Sequence, residues 1–505
     1  MTATPRQSAI RELVAGTEPL TIAKLAGGGE PDAADVLKMA EQLGVRMVDF
    51  KFTDVPGTWQ HMALSISCLD ADAFSDGLGF DGSSIRGFQQ ISESDMLLMP
   101  DASTAMMDPF YEERTLSLIC NVIDPITRQA YSRDPRYVAQ KAERHLQHSA
   151  VADTAYFGPE AEFYVFDHVS FDQQSHKAYY EVDTAEGYWN RGAGFGVPAA
   201  NPNVGHHPRS QEGYFPTPPL DTLGDLRALM VMTLEALGVG CEFHHHEVGG
   251  PGQGEIDLRF RPLLEMADTL MLHKYVVKNV ARAAGRSATF LPKPIFEENG
   301  SGMHVHQSLW KDGSTLMFDE NGYALLSELA LSYVAGLLDH GRALMAFCAP
   351  TCNSYRRLVP GYEAPVNLVH SQRNRSAAVR IPMYLASPKA KRIEFRPPDP
   401  LTNPYLGFSA LLMAGLDGIK RGLKPGKPVD SDLFDLSEEE LAQIVNVPGS
   451  LVEAMDALQD DHAFLLDGDV FTQDLIDEWI SYKRAEAKEI DLRPHPWEFV
   501  QSYDG

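Results

Sequence analysis

Between Lys293 and Ser308 the chain reads KPIFEENGSGMHVHQS, a tight turn followed at once by two imidazoles. In the Asn299-Gly300-Ser301-Gly302 turn, glycine permits backbone geometry closed to other residues. His304 and His306 stand two apart, so a strand over 303–309 projects both rings from one face. Free backbone N–H groups and two nitrogen ligands delivered to one place suit anionic oxygens and metal ions.

Carboxylates recur in similar patterns. In FGPEAEFYVF (157–166), Glu160 and Glu162 alternate with apolar neighbours and share one face of a predicted strand. That face either borders solvent or is compensated by a cation, because burying two carboxylates unpaired is costly. In CEFHHHEVGGPGQGEIDLRF (241–260), Glu247 and Glu255 flank a Gly-Pro-Gly turn that can fold back as a hairpin. The three histidines before Glu247 point alternately on a strand, so all three cannot bind one ion. Packing and hydrogen-bond roles are expected for most of them. In KRIEFRP (391–397), Arg392, Glu394 and Arg396 alternate, as a site face or as a surface salt-bridge ladder. With His304, the chain thus offers Glu160, Glu162, Glu247, Glu255 and Glu394, an oxygen-rich set suited to magnesium or manganese rather than zinc.

Arginines supply the opposite charge. SQRNRSAAVR places Arg373, Arg375 and Arg380 close together, and SYRRL adds Arg356 and Arg357. Their forked donors match phosphate and carboxylate. A nucleic-acid patch is the rival reading, opposed by the acidic whole and the lack of interleaved aromatics. Neither a P-loop nor a Rossmann glycine motif occurs, so any nucleotide site is of another kind. Asp81 sits in the FDGSS turn, and Glu363 lies between Gly361 and Pro365 in a loop able to close over a site.

The elements that position these residues read as α+β. With 505 residues, 44% hydrophobic and 22% charged, the chain should form more than one domain around a large core. A net charge of −27 argues against nucleic acid and anionic lipid as partners. Cys68, Cys120, Cys241, Cys348 and Cys352 form no C-x-x-C pair and read as reduced thiols. No apolar run approaches the roughly 20 residues needed to span a bilayer, and MTATPRQSAIRELVAG lacks a signal-peptide core, so the cytoplasm is expected. Residues 1–31 read as a flexible or helical extension. A helix over 32–43 and strands over 45–52, 59–66 and 115–123 predict a small α+β unit at 32–133. A larger domain at 134–505 opens with Asp134 as helix cap and Pro135 in the first turn. Helices are expected near 221–238, 265–285, 323–342 and 406–421, with a mostly helical tail. Glycine and asparagine make 186–213 a long mobile loop.

Four blocks, the Lys293–Ser308 run, FDGSSIRGF (80–88), SYRRLVPGYEAPVNLVHSQRNRSAAVRIP (354–382) and ASPKAKRIEFRPPDP (386–400), resemble the bacterial, ring-forming type I glutamine synthetases, in the same order from about Val36 to Tyr503. The resemblance implies a β-grasp-like N-terminal domain, a catalytic domain with a curved antiparallel sheet, and a dodecamer of two hexameric rings. It implies ligation of ammonia to L-glutamate with ATP, through γ-glutamyl phosphate. One metal would be held by Glu162, Glu247 and Glu255, and another by Glu160, His304 and Glu394. Arg375 and Arg380 would contact ATP phosphates, with Lys389, Glu242, His306 and Ser308 completing the nucleotide site. Arg357 and Arg396 would hold glutamate beside Asn299, Gly300 and Tyr214. Asp81 would bind ammonium and take its proton, across a subunit interface, and Glu363 would cover the intermediate. The Trp497–Tyr503 tail would reach the opposite ring. Two departures stand out. Phe434 occupies the place of an adenylylated tyrosine, and Gln211-Glu212 replaces the lysine expected before Gly213-Tyr214. Rival readings are a γ-glutamyl polyamine or amine ligase of the same fold, and a non-catalytic scaffold. Retained Asp81 favours ammonia, and the complete ligand set favours catalysis.

Overall fold

The computed structural model describes residues 4–16, 20–25, 30–88, 94–190, 205–359, 364–383, 387–430 and 444–505. Glu363, Phe434 and residues 191–204 of the expected loop lie outside the described residues.

A first sheet contains β1 (Met47–Thr53), β2 (Trp59–Ser65), β3 (Leu78–Asp81), β4 (Asp95–Pro100), β5 (Met106–Met107) and β6 (Thr115–Ile123). Its order is β2-β1-β6-β4-β3, with β5 also on β6. Only β1 and β6 run parallel. β1 is buried on both faces, because the polar side of its alternation is paired internally. Lys51 Nζ donates to Asp49, to Asp108 at 3.0 Å and to Ser117 at 2.5 Å. The preceding helix, Ala33–Gln42, is capped by the Asp32 side chain and buries Val36, Met39 and Ala40 at helical spacing.

The predicted 1–31 extension is ordered where it is described. The helix Pro5–Ala15 buries Ile10 and packs against the helices Gly224–Ala236 and Leu263–Ala283. Leu20–Ile22 then adds to the edge of the first sheet: Met107 N–H donates to Leu20 O at 2.7 Å and Ile22 N–H to Ala105 O at 2.9 Å. Apolar residues at 10, 20 and 22 find hydrophobic cover on two different parts of the chain, so this segment ties them together.

After the helix Pro135–His148 come β7 (Thr154–Ala161), β8 (Phe163–Phe166), β9 (His168–Gln174), β10 (Lys177–Asp183), β11 (Cys241–His246), β12 (Gln253–Leu258), β13 (Arg261–Pro262), β14 (Ser287–Thr289), β15 (Met303–Lys311), β16 (Ser314–Thr315), β17 (Asn367–Ser371), β18 (Ala377–Arg380) and β19 (Ile393–Phe395). One curled sheet runs β13-β7-β15-β19-β18-β17, with β16 on β15, and a second runs β11-β12-β8-β14. β9 and β10 pair as a separate hairpin.

The single strand expected over 157–166 is broken at Glu162. There the chain leaves the β7 sheet for the β8 sheet, and Glu162 N–H donates to Gly302 O at 3.0 Å. Glu160 and Glu162 therefore face a seam between two sheets. Behind the β7 sheet the helix Pro404–Arg421, capped by Asn403 and ended by left-handed Gly422, is buried almost all round. Phe408 stacks on Phe157 at 5.0 Å, fixing the helix under β7. The helix expected over 323–342 runs Glu328–Asp339, capped by Ser327, and turns at His340 into Gly341–Cys348.

Candidate active site

Three strands bring the central carboxylates together. β15 lies between β7 and β19, with His304 opposite Glu160 and His306 opposite Glu394. His304 Nδ1 lies 3.4 Å from Glu160 Oε2 and 3.6 Å from Glu394 Oε1, and donor atoms of all three fall within 4.8 Å of one another. His306 Nε2 is 2.7 Å from Glu160 Oε1, and its Nδ1 accepts from Arg392 Nε at 3.2 Å. Arginine only donates, so Nδ1 is the accepting nitrogen and Nε2 the one that donates to Glu160. Glu394 receives Arg380 Nη1 at 2.7 Å and also Arg396 Nη1.

The β11–β12 hairpin forms as expected and pairs His245 with Glu255. Glu162, Glu247 and Glu255 all line a cleft of about 700 Å³, and Glu160, His304 and Glu394 line it too. Glu162 Oε2 accepts from Gly302 N at 2.9 Å and from Gln253 Nε2 at 2.9 Å, while Glu247 Oε2 accepts from Val248 N at 2.9 Å. Arg357, Arg375, Arg380, Arg396, Asn299, Gly300 and Tyr214 line the same cleft. Arg357 directs much of its fork to the carbonyls of Pro397, Pro398 and Arg396, so it also fixes the strand end that carries Arg396. Gly300 and Gly302 serve this arginine by lacking a side chain. A Cβ on Gly300 would lie 2.8 Å from Arg357 Cγ, and one on Gly302 2.6 Å from its Nη2. Neither glycine has a positive φ, so close approach rather than backbone freedom explains them.

A second cavity of about 300 Å³ contains Glu242, His306, Ser308 and Lys389, and Glu160 and Asp257 line both cavities. Tyr156 stands edge-on to Phe260 at 5.2 Å and to Trp310 at 5.7 Å, giving this cavity an aromatic wall beside Arg392. Asp81 is exposed at the end of β3 and lines neither cavity. Its carboxylate caps the following turn, accepting from Ser83 N at 2.9 Å, Ser83 Oγ at 2.7 Å and Ser84 Oγ at 2.9 Å.

Family models for the glutamine synthetase catalytic domain and β-grasp domain match residues 132–502 and 44–125. The chain belongs to the glutamine synthetase family. It is 54% identical to glutamine synthetases of Frankia alni (94% of this chain, 99% of that protein) and Mycobacterium tuberculosis (93% and 98%). Among solved structures, the Plasmodium falciparum glutamine synthetase aligns with a TM-score of 0.86 at 28% identity, over 94% of this chain and 99% of that one. A solved GmaS/ADP complex aligns with a TM-score of 0.76 at 26% identity, over 93% and 99%. The small sheet is the β-grasp domain and the curled sheets belong to the catalytic domain. The enzyme is a glutamate–ammonia ligase of the bacterial type I kind, making glutamine with ATP and divalent metal.

The electrostatics of this glutamine synthetase cleft fit a divalent cation. Burial and the charge of Glu247 push Glu162 up to about 8, and burial pushes Glu247 and Asp257 up to about 7. Burial and the surrounding carboxylates raise Glu255 well above its ordinary value. Carboxylates driven toward protonation by one another are stabilised as anions by a doubly charged ion among them. Burial and Arg396 lower His304 to about 4, leaving it neutral and able to ligate at neutral pH. Burial works against ionised Glu394, but Arg396 and the two histidines outweigh it and hold the carboxyl at about 2.

Sequence reasoning missed Asp257, His245 and the aromatic wall. Donor atoms of His245, Glu255 and Asp257 fall within 4.8 Å of one another, and buried Asp257 Oδ1 has no hydrogen-bond partner among the described residues. The signal for Asp257 was present, since it follows Glu255 by two on a strand and shares its face.

Proposed function

We propose that the two cavities divide the glutamine synthetase reaction between ATP and glutamate. The smaller cavity takes the nucleotide: Tyr156, Phe260, Trp310 and Arg392 offer flat surfaces for a purine, while Glu242, His306, Ser308 and Lys389 supply polar contacts. The larger cleft takes L-glutamate, held by Arg357 and Arg396 beside Asn299, Gly300 and Tyr214. Arg375 and Arg380, which line that cleft, face the transferring phosphoryl group. The observation that carries this reading is the Glu160–His304–Glu394 cluster on β7, β15 and β19, with Glu160 in the wall common to both cavities.

Magnesium or manganese, held by Glu160, His304 and Glu394 and by Glu162, Glu247 and Glu255, would neutralise phosphate charge and polarise the γ-phosphoryl group. Arg357 and Arg396 orient the glutamate side chain so that a carboxylate oxygen attacks the γ-phosphorus. ADP leaves and γ-glutamyl phosphate forms. Asp81 of a neighbouring subunit accepts a proton from ammonium. The ammonia released attacks the acyl carbon, and phosphate departs with the bonding pair. Glu363 closes over the intermediate and excludes water, which would hydrolyse it. The domains are 32–133 and 134–505, with 1–31 as an added segment. The protein works in the cytoplasm as a dodecamer of two hexameric rings.

The test is phosphate release with ATP, magnesium and L-glutamate, comparing ammonium with putrescine, spermidine and ethanolamine. Turnover that depends on both glutamate and ammonium is expected. Preference for an amine would transfer the chain to the amine ligases, and ATP hydrolysis indifferent to glutamate would overturn the assignment of the larger cleft.

A further inference from the structure

Of the three consecutive histidines on β11, His245 borders the cleft and His246 lines neither cavity. His246 is 1% exposed and lies immediately before Glu247, and every polar contact of its ring goes to an oxygen. Nε2 is 3.2 Å from Glu186 Oε2, and Nδ1 is 2.7 Å from both Gly213 O and Glu247 O. Glu186 is itself fully buried, and its other oxygen accepts from Thr222 N at 2.6 Å and Thr222 Oγ1 at 2.8 Å.

The two carbonyl oxygens that His246 Nδ1 touches, those of Gly213 and Glu247, belong to the segments that carry Tyr214 and Glu247 into the cleft. Gly213 N–H donates to Val248 O at 3.0 Å, and Phe215 N–H to His246 O at 3.3 Å, so residues 213–215 run alongside 246–248. Gly213 must be glycine for this approach, since a Cβ there would sit 2.6 Å from Glu247 O and 2.9 Å from His246 Cε1. Tyr214 projects from the middle of this contact and lines the cleft, stacked on Phe215 at 4.0 Å and edge-on to His245 at 5.7 Å. Among the described residues, no other side chain hydrogen-bonds both the backbone of Glu247 and the Tyr214 loop.

We propose that Glu186 and His246 form a buried couple that sets the position of Glu247 and Tyr214, making His246 a positioning residue for the glutamate half of the reaction. It rests on the assignment of the larger cleft to glutamate and metal. Glu186 orients the imidazole from behind, and the ring holds the Gly213 and Glu247 carbonyls at one distance from each other. Loosening the ring lets the 213–215 segment drift from β11 and moves the carboxylate with it. The nucleotide contacts at Glu242, His306, Ser308 and Lys389 do not depend on this couple, which gives an internal control.

The experiment compares the full-length protein with His246→Leu, His246→Asn and Glu186→Gln, reading KM for glutamate, KM for ATP, kcat, and manganese affinity by electron paramagnetic resonance. Asn keeps a donor near the place of Nδ1. Residues that orient metal ligands are worth about 10–100-fold in affinity or activity. His246→Leu is expected to weaken manganese binding and raise KM for glutamate at least about tenfold, with KM for ATP within about twofold. His246→Asn should recover part of the loss, and Glu186→Gln should fall between. Unchanged manganese affinity and glutamate KM in His246→Leu, or an equal rise in KM for ATP, would overturn the proposal. Should His246→Leu not fold, the same comparison is made with His246→Asn against Glu186→Gln. Should the parent protein show no glutamate-dependent turnover, the assignment of the cleft fails, and the manganese titrations still decide whether the couple positions Glu247.

Discussion

Residue by residue, most of the central cluster follows from alternation along a strand. Glu160, His304 and Glu394 sit on three paired strands at positions where period-two patterning puts polar groups among apolar neighbours. Alternation does not say which strands pair. Glu160 and Glu162 were expected on one strand, whereas Glu162 stands at the break between two sheets and is fixed by Gln253 and Gly302. Asp257 is the informative omission. It adds a further carboxylate beside Glu255, in the wall common to both cavities, and repulsion among these groups is relieved either by protons or by a cation. Replacing Asp257 with Asn should therefore raise the melting temperature of chelator-treated protein by a few degrees and raise the magnesium needed for half-maximal stabilisation severalfold. Differential scanning fluorimetry across a magnesium titration reads both. An unchanged magnesium midpoint would remove Asp257 from the cation's surroundings.

At the scale of elements, local signals located helix ends well. Asp32, Asp134, Ser327 and Asn403 each cap the helix that follows through a side-chain oxygen. The run over 323–342 was harder to read, because it contains a bend at His340 that only tertiary contacts explain. His340 Nε2 lies 2.9 Å from Asp417 Oδ2 and Nδ1 2.8 Å from Asp461 Oδ2, while the ring stacks on Phe464 at 3.9 Å. Burial lowers the pKa of this histidine, but its bonds to Asp461 and Asp417 outweigh that and raise it. Arg421, also bonded to Asp417, faces the same cluster. A histidine whose folded pKa is raised gives its full stabilisation below the unfolded value of about 6.5, and loses it as pH climbs through the folded value. His340→Gln should thus cost about 2 kcal/mol near pH 6, with the difference from the parent shrinking toward pH 9. Denaturant unfolding with saturating magnesium measures it, and a pH-independent difference would show the ring acting by packing alone.

For the whole molecule, the separation of Asp81 from both cavities is the main lesson. A chain with net charge −27 carries its proposed ammonium-binding carboxylate on an exposed edge of the β-grasp sheet, away from its own cleft. On the proposed reading a neighbouring subunit completes the site, and no periodicity in one chain can reveal that. The same holds for the C-terminal helix Pro496–Ser502, where Trp497, Phe499, Val500 and Tyr503 are all more than half exposed. Four large apolar side chains turned to solvent are the surface expected to meet another subunit under the proposed dodecamer. Deleting residues 494–505 should convert dodecamers to hexamers in analytical ultracentrifugation, and an intact dodecamer would refute that role. The N-terminal segment carries a different consequence. Ile10 is the first buried residue among those described, yet the helix that carries it packs against the helix ending at Ala283, some 270 residues later. During synthesis at roughly 5–20 residues per second, that helix follows on the order of tens of seconds behind. The growing chain therefore leaves the ribosome with its first helix unpartnered, and closing it against Leu263–Ala283 is among the late events that join the two domains into one subunit.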